Sequence, residues 1–121
     1  MPKLLIVDDE IDIREFARRF FSKRNINVFI ASGGGEALQL IEKEKPDLVL
    51  LDINMEQING IEVLKRLRAK KDLTRVIMVT GVNDENVVRE INGLGIEGYI
   101  HKPLVLEELQ NIVMAKLEIN K

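Results

Sequence analysis

Four consecutive aliphatic residues at positions 48–51 place the strongest constraint on how this chain can fold. The run is too short for an ordinary helix, and it lacks the polar alternation of a strand that has one face in water. It therefore predicts a strand that is buried on both faces. The strand ends on a carboxylate, Asp52. In parallel sheets this edge is where ligands bind, although an acidic residue is also common wherever a strand stops.

Similar runs recur along the chain and alternate with amphipathic segments. We predict strands over residues 4–7, 27–31, 47–52, 75–80 and 98–100. Helical periodicity predicts helices over about residues 10–23, 33–43, 61–70, 84–92 and 104–118. Five β-α units in a row predict a doubly wound α/β fold, with a five-stranded parallel sheet in the order 2-1-3-4-5 and helices on both faces. A barrel is not expected, because it would need eight units.

The helical spacing also predicts which side chains face the core. In the first helix the inward set is Ile13, Phe16, Ala17 and Phe20. Its arginines are predicted to face outward: Arg14, Arg18 and Arg19. The inward residues predicted for later helices are Ala37, Leu38, Ile41, Val63, Leu64, Leu67, Leu106, Leu109, Val113 and Leu117. Ser32 is expected to cap the second helix, and Gly93 and Gly95 to interrupt the fourth.

The composition excludes several classes of function. The length suits one domain, predicted to span residues 1–121, and no apolar run approaches the roughly 20 residues that cross a bilayer. The chain contains no cysteine, which excludes a disulfide framework and thiol chemistry. Its 18 basic and 20 acidic residues give a net charge of -2, so we expect no direct nucleic-acid partner. The first residues lack the features of a secretory signal, and we expect a cytoplasmic protein without a membrane partner.

The predicted topology brings five polar residues to one edge of the sheet: Asp8, Asp9, Asp52, Thr80 and Lys102. Three carboxylates held close together repel one another unless a cation lies among them. Because only oxygen ligands are offered, we expect Mg²⁺ or Mn²⁺ rather than zinc. A metal ion, an ammonium and a hydroxyl around a carboxylate form a receptor for a phosphoryl group in transfer. Asp52 is then the predicted nucleophile.

Each of these residues also has a simpler explanation. Taken singly, Lys102 would be a surface cation and Thr80 a residue that favours strands. Asp8 and Asp9 would mark the start of the first helix. The simpler explanations do not account for all five residues at the same end of successive strands. The joint pattern therefore favours a functional site.

The residues around this site form four segments: Val7-Asp8-Asp9-Glu10, Leu51-Asp52-Ile53-Asn54-Met55 with Gly60, Val79-Thr80-Gly81, and Tyr99-Ile100-His101-Lys102-Pro103. Together they resemble the receiver domain of two-component response regulators, and the resemblance covers about residues 4–117. It implies a CheY-like, flavodoxin-like three-layer sandwich. It also implies a regulatory phosphotransfer module rather than an enzyme: Asp52 would accept phosphate from a phosphohistidine on a sensor histidine kinase or a phosphotransfer protein.

The resemblance implies a role for each site residue. Asp8, Asp9, Asp52 and the backbone carbonyl of Asn54 would hold Mg²⁺. Lys102 would pair with the phosphoryl oxygens and follows the usual pattern of a cis bond to proline. The residues that signal phosphorylation would be Thr80, which hydrogen-bonds to the phosphoryl group, and Tyr99, which turns inward.

The resemblance further implies how the signal ends and where it goes. Asn54 and Val82 would tune hydrolysis of the acyl phosphate, because they lie two residues after Asp52 and Thr80. The output face would be made by the fourth helix, the fifth strand and the fifth helix, and would bind a downstream protein, an effector domain or a second copy of the chain. The sequence departs from the family pattern at Glu56, where proline is frequent, and at Gly81, where alanine is usual.

Three other functions use similar features. An aspartyl-phosphate phosphatase would share the nucleophile and metal, but it usually carries a second acid where this chain has Asn54. A flavodoxin-like electron carrier needs a phosphate-cradling loop after the first strand, where Asp8 and Asp9 would repel FMN. A pseudo-receiver that takes no phosphate is disfavoured because every group that the chemistry needs is present. His101, the only histidine, is expected at the surface, and the sequence fits both a stand-alone receiver and part of a longer regulator.

Overall fold

The chain alternates strands and helices throughout the computed structural model, which describes residues 1–55, 57–81 and 85–117. The strands are β1 (Lys3–Val7), β2 (Asn27–Ala31), β3 (Leu48–Asp52), β4 (Val76–Thr80) and β5 (Gly98–His101). The helices are α1 (Ile11–Ser22), α2 (Gly34–Glu44), α3 (Gly60–Ala69), α4 (Glu85–Leu94) and α5 (Leu106–Lys116). None of the helices within these described ranges has the length and apolar character that crossing a bilayer requires.

The five strands form one parallel sheet in the order β2-β1-β3-β4-β5, which confirms the predicted topology. β3 lies at the centre between β1 and β4, and every residue of β3 and β4 is buried. This burial explains why both strands are continuous apolar runs rather than alternating ones. The carboxyl ends of β1, β3 and β4 therefore meet at one edge of the sheet.

Successive residues of each strand point to opposite faces and supply two separate cores. On one face, Val49 and Leu51 pack with residues of α2, α3 and α4. On the other face, Leu48 and Leu50 pack with residues of α1 and α5. Both cores draw on the same short strands, so a slip of one residue would exchange their contents.

The orientation of α1 differs from the prediction. Its fully buried residues are Ala17 and Phe21, whereas Phe16 is 49% exposed and stacks on Phe20. The adjacent aromatic pair at positions 20 and 21 creates two overlapping apolar stripes on one helix, and helical spacing alone does not choose between them. Packing against the sheet selects the stripe that ends on Phe21, and it leaves Arg14 only half-buried rather than outward.

Three helix ends also differ from the prediction. The N-cap of α2 is Gly33 rather than Ser32, whose N–H and hydroxyl both donate to Glu36 Oε1. α4 continues through Gly93, since one helical glycine costs only about 1 kcal/mol, and Gly95 with its φ of +83° follows its end. α5 begins at Leu106, which is exposed rather than inward.

The two phenylalanines of α1 provide a test of this packing. We expect Phe21→Ala to lower the free energy of unfolding by about 3–5 kcal/mol, because it removes a fully buried ring. Phe16→Ala should cost less than about 1 kcal/mol, since that ring is half exposed. Urea unfolding of both variants measures the difference, and equal losses would contradict the observed orientation of α1.

Candidate functional site

The carboxyl edge of the sheet concentrates the buried polar groups of this protein. Across residues 1–55, 57–81 and 85–117, the buried polar or charged side chains are Asp8, Asp52 and Thr80. Asp8 directly follows β1, while Asp52 and Thr80 are the last residues of β3 and β4. The sheet order makes these three strands neighbours, so the three side chains share one cleft.

Asp52 lies at the centre of this cleft and is fully buried. Its Oδ1 accepts a hydrogen bond from the backbone N–H of Asn54 at 3.0 Å. Its Oδ2 accepts one from Lys102 Nζ at 2.9 Å. Each carboxylate oxygen of Asp52 thus has its own hydrogen-bond donor, the Asn54 backbone for Oδ1 and the Lys102 ammonium for Oδ2.

Lys102 reaches Asp52 from the segment after β5. Its backbone N–H donates to the carbonyl of Thr80 at 2.8 Å, and its peptide bond to Pro103 is cis, as expected from the resemblance. Partial burial alone would lower the pKa of Lys102, but the hydrogen bond and charge of Asp52, with the charge of Asp8, outweigh it and raise that pKa. The ammonium therefore stays charged across the physiological range.

Asp8, Asp9 and Asp52 form a cluster in which each carboxylate offers one oxygen within 4.8 Å of the other two. Two of the three are buried, and Asp9 is exposed at the rim. Three oxygen ligands at this spacing suit a hard divalent cation such as Mg²⁺, which takes carboxylates and keeps its remaining positions for water or phosphate oxygen. The residues present therefore fit the predicted metal.

Burial and the neighbouring charge of Asp52 disfavour the charged form of Asp8. Burial raises the pKa of its carboxyl from 3.8 to about 6, and the charge of Asp52 adds to that rise. A hydrogen bond from the Glu10 N–H to Asp8 Oδ1 at 2.9 Å and the charge of Lys102 oppose it without cancelling it. The charge of the Asp8 carboxylate is thus not fully compensated by the protein groups around it.

Close backbone approaches shape the walls of the cleft. A side chain at Gly60 would collide with the carbonyl of Asp52, and the Gly60 N–H donates to the carbonyl of Ile53 at 3.1 Å. Glycine is therefore required for α3 to begin directly against the end of β3. Gly81 lies beside Asn54 and Lys102, where an added Cβ would be 3.9 Å from each.

The cleft opens to solvent beside Asp9. A cavity of about 390 Å³ is lined there by Asp9, Ser32, Gly33 and Gln57. Gln57 has a φ of 64°, in the left-handed region. The Asp9 carboxylate is therefore accessible from solvent.

The structure does not bring every predicted residue into the site. Tyr99 is 39% exposed and packs edge-on against His101, with ring centroids 5.3 Å apart. His101 is at the surface, as expected. Val82 and Glu56 lie outside the described residues, and the role predicted for Val82 stays a prediction.

One residue near the site was missed from the sequence. Arg14 was predicted to face solvent, yet its Nη1 donates to the backbone carbonyl of Asp8 at 2.8 Å. Helical spacing gives only the angular position of a side chain, and a long guanidinium stem can turn back toward the strand end. The available signal was its position in the helix that immediately follows the two acids.

Comparisons with known proteins agree with this geometry. Residues 4–114 match the family model described as the response regulator receiver domain. The chain is 36% identical over 117 residues to sporulation initiation phosphotransferase F of Bacillus subtilis, covering 97% of this chain and 94% of that protein. It is 38% identical over 112 residues to the response regulator MprA of Mycolicibacterium vanbaalenii, covering 90% of this chain but only 48% of that protein.

Solved structures show the same fold. The CheY-like receiver domain protein of Methanospirillum hungatei has a TM-score of 0.90 at 30% identity, with 98% of this chain and 94% of that one covered. Chemotaxis protein CheY4 of Vibrio cholerae has a TM-score of 0.86 at 29% identity, with 95% and 98% covered. The chain spans about half the length of the MprA regulators and nearly the full length of the Bacillus subtilis protein.

The raised pKa of Asp8 makes the metal-free protein sensitive to pH. The folded state holds the Asp8 proton up to about pH 6 and the unfolded chain only to about 3.8, so stability from this group falls as pH rises between these values. Above pH 6, Asp8→Asn should therefore raise the free energy of unfolding in EDTA, by about 1–3 kcal/mol.

Urea unfolding in EDTA measures this effect at pH 7.5 and pH 4, where the gain should largely vanish. Asparagine retains an oxygen for the Glu10 N–H, so the substitution isolates the charge. Added Mg²⁺ should then stabilise the native protein more than the variant. A variant less stable than the native chain in EDTA at pH 7.5 would refute the assignment.

Proposed function

The chain belongs to the receiver domain family of two-component response regulators, and we propose that residues 1–121 form a phosphorylation-controlled switch in which Asp52 is the phosphoacceptor. Members of this family are regulatory signalling modules that interact with histidine kinases and downstream effectors. The observation that carries the proposal is the fully buried Asp52 carboxylate, paired with Lys102 and clustered with two further carboxylates.

The proposed reaction is a transfer from a histidine nitrogen to a carboxylate oxygen. Asp52 attacks the phosphorus of a phosphohistidine, an O–P bond forms, the P–N bond breaks, and the imidazole leaves with the bonding electrons. The Asn54 N–H orients the carboxylate through Oδ1, which leaves Oδ2 and its Lys102 partner on the side of the incoming group. Lys102 can then pair with a phosphoryl oxygen and balance the charge that arrives.

We propose that Mg²⁺ binds to Asp8, Asp9, Asp52 and the backbone carbonyl of Asn54, and Mn²⁺ could use the same oxygens. When bound, the ion supplies positive charge that offsets repulsion between the carboxylates and the phosphoryl oxygens. The spacing of the three carboxylates and the incomplete compensation at Asp8 support this assignment. The protein's own part is to hold the ligands at the ends of two adjacent, fully paired strands.

An apolar surface beside the cleft supports a protein as the phosphoryl donor. We define the α1/α5 surface by its exposed or half-buried apolar residues: Ile11, Ile13, Phe16, Leu104, Val105 and Leu106. Several of them line a cavity of about 280 Å³ between α1 and the start of α5. A small phosphodonor has no use for such a surface, whereas a donor helix could bury it next to Asp52.

The competing functions receive less support. Asn54 takes the place of the second acid that a phosphatase of this chemistry would use, and the Bacillus subtilis relative is named a phosphotransferase. The carboxylates of Asp8 and Asp9 crowd the end of β1, where a flavodoxin would need to accept the phosphate of FMN. A pseudo-receiver is disfavoured because the nucleophile, the cation and the acidic cluster that phosphotransfer needs are all present.

We propose that the phosphoryl group is read out through Thr80 and Tyr99 on the face of α4, β5 and α5. Thr80 ends β4, and its carbonyl accepts a hydrogen bond from the Lys102 N–H. Tyr99 is exposed, and in this proposal it turns inward on phosphorylation. α4 is joined to α3 by the Lys65–Glu90 ion pair at 2.7 Å and by Arg68, which donates to the carbonyls of Leu94 and Gly95. Beside the apolar packing of Ile91, these polar contacts can rearrange, as a two-state element requires.

This face is the proposed contact for a downstream protein, an effector domain or a second copy of the chain. The lifetime of the signal is proposed to depend on Asn54 and Val82, which follow Asp52 and Thr80 by two residues in the sequence. Asn54 is exposed at the mouth of the cleft. Its amide can orient a water, whereas the side chain of Val82 can only shield one.

The phosphoacceptor can be identified with acetyl phosphate and Mg²⁺. We expect intact mass to show one added phosphoryl group on the native protein and none on Asp52→Asn, because the amide is not a nucleophile. Asp47→Asn, which alters the residue before the opposite end of β3, is the matched control and should label normally. Labelling of Asp52→Asn to the native extent would show that the assignment is wrong, and EDTA should abolish the reaction.

Hydrogen exchange with beryllofluoride, a phosphoryl mimic, tests the output face. Exchange rates should change most between residues 80 and 102, because Thr80, α4 and Tyr99 rearrange together. The same experiment on Asp52→Asn should show no change. A response confined to α1 would place the output on the opposite face of the sheet.

A further inference from the structure

Arg14 makes a contact that sets it apart from the other arginines of α1. Its Nη1 donates to the backbone carbonyl of Asp8 at 2.8 Å, and its side chain is half-buried. Arg18 and Arg19 on the same helix are exposed, and Arg18 pairs with Glu15 at the surface. Arg14 therefore connects α1 to the end of β1, where two of the three clustered carboxylates begin.

The turn between β1 and α1 has few other constraints. Glu10 is the N-cap of α1 and makes no side-chain capping hydrogen bond. The Asp8 N–H donates to the carbonyl of Ala31 at 3.2 Å, which is long for such a bond, and the Glu10 N–H donates to Asp8 Oδ1. The hydrogen bond from Arg14 holds the carbonyl of the peptide that joins Asp8 to Asp9.

The peptide with this carbonyl joins Asp8 to Asp9. A change in the backbone torsions on either side of it would shift the two residues relative to Asp52. Arg14 binds the backbone and not a carboxylate, so it fixes the turn without occupying an oxygen that a cation needs. Lys102 differs in this respect, because it is bonded to Asp52 Oδ2.

We propose that Arg14 is a positioning residue for the divalent cation: it orients the Asp8–Asp9 peptide so that the two carboxylates converge with that of Asp52. The inference rests on the proposed function, in which this cluster holds Mg²⁺. Groups that orient metal ligands without touching the metal typically change its affinity by about ten- to a hundredfold when removed. Because Arg14 acts through the backbone of the ligands, we expect a loss near the lower limit, about tenfold.

Isothermal titration with Mg²⁺ alone, in the absence of any phosphodonor, tests the inference on the full chain. Arg14→Met retains much of the aliphatic stem and removes the donors, so its Mg²⁺ affinity should fall about tenfold. Arg14→Lys retains one donor and should recover part of the affinity. Arg19→Met, an exposed position on the same helix, should bind Mg²⁺ as the native protein does.

Native Mg²⁺ affinity in Arg14→Met would overturn the inference, and so would an equal loss in Arg19→Met. If Arg14→Met does not fold, Arg14→Gln replaces it, because the shorter side chain cannot reach the Asp8 carbonyl from the same helix position. The same tenfold loss is then expected, and native affinity again overturns the inference.

A second measurement separates positioning from a general loss of structure. The Mg²⁺ concentration that gives half-maximal labelling by acetyl phosphate should rise about tenfold in Arg14→Met, while the rate at saturating Mg²⁺ stays unchanged. A lower labelling rate at saturating Mg²⁺, with an unchanged half-maximal Mg²⁺ concentration, would overturn the inference. If the native protein binds Mg²⁺ but takes no phosphoryl group on Asp52, the proposed function fails, and the affinity of the Arg14 variants still decides this inference.

Discussion

The pairing of Asp52 with Lys102 is the interaction on which the rest of this structure depends. A fully buried carboxylate without a partner would cost several kcal/mol, so a cation must reach it wherever the strand ends. β3 can deliver Asp52 to the interior only because the segment after β5 returns Lys102 to within 2.9 Å. That return needs β4 between the two strands, and the hydrogen bond from Lys102 to the Thr80 carbonyl fixes the spacing. The sheet order and the ion pair therefore require each other.

The Asp52–Lys102 ion pair does not neutralise the whole acidic cluster. A site that responds to a bound ligand needs such an unbalanced charge. One ammonium faces three clustered carboxylates, and burial keeps the pKa of Asp8 near 6. A bound cation would lower the free energy of this cluster, and the proposed phosphoryl group on Asp52 would change its charge again. Because Lys102 bonds both to Asp52 and to the Thr80 carbonyl, a change of charge at the cluster would act on the ends of β4 and β5. The uncompensated charge lowers the stability of the metal-free protein and makes the site sensitive to a bound cation.

Relatives of different length place this module in different settings. The chain covers almost all of the Bacillus subtilis phosphotransferase and about half of the MprA regulators, so similar sequences occur in proteins of both lengths. This chain departs from the family pattern at single residues near the site. At Gly81, which takes the place of the usual alanine, an added Cβ would be 3.9 Å from Asn54 and Lys102, so a methyl group would be accommodated there. The apolar residues on α1 and at the start of α5 are exposed, and the proposed donor protein would contact them.

Much of this protein could be predicted from its sequence, because buried strands and acidic strand ends are local patterns. The runs at positions 48–51 and 76–79 allow burial on both faces and little else, and five β-α units leave one economical topology for the sheet. That topology alone brings Asp8, Asp52, Thr80 and Lys102 together. Only the tertiary structure decided the rotation of α1, since Phe20 and Phe21 offer two apolar stripes of similar quality and the fit against the sheet chooses between them. It also decided the position of Arg14, because the path of a long flexible side chain depends on which acceptor lies within reach, and the Asp8 carbonyl exists as an acceptor only once strand and helix have packed.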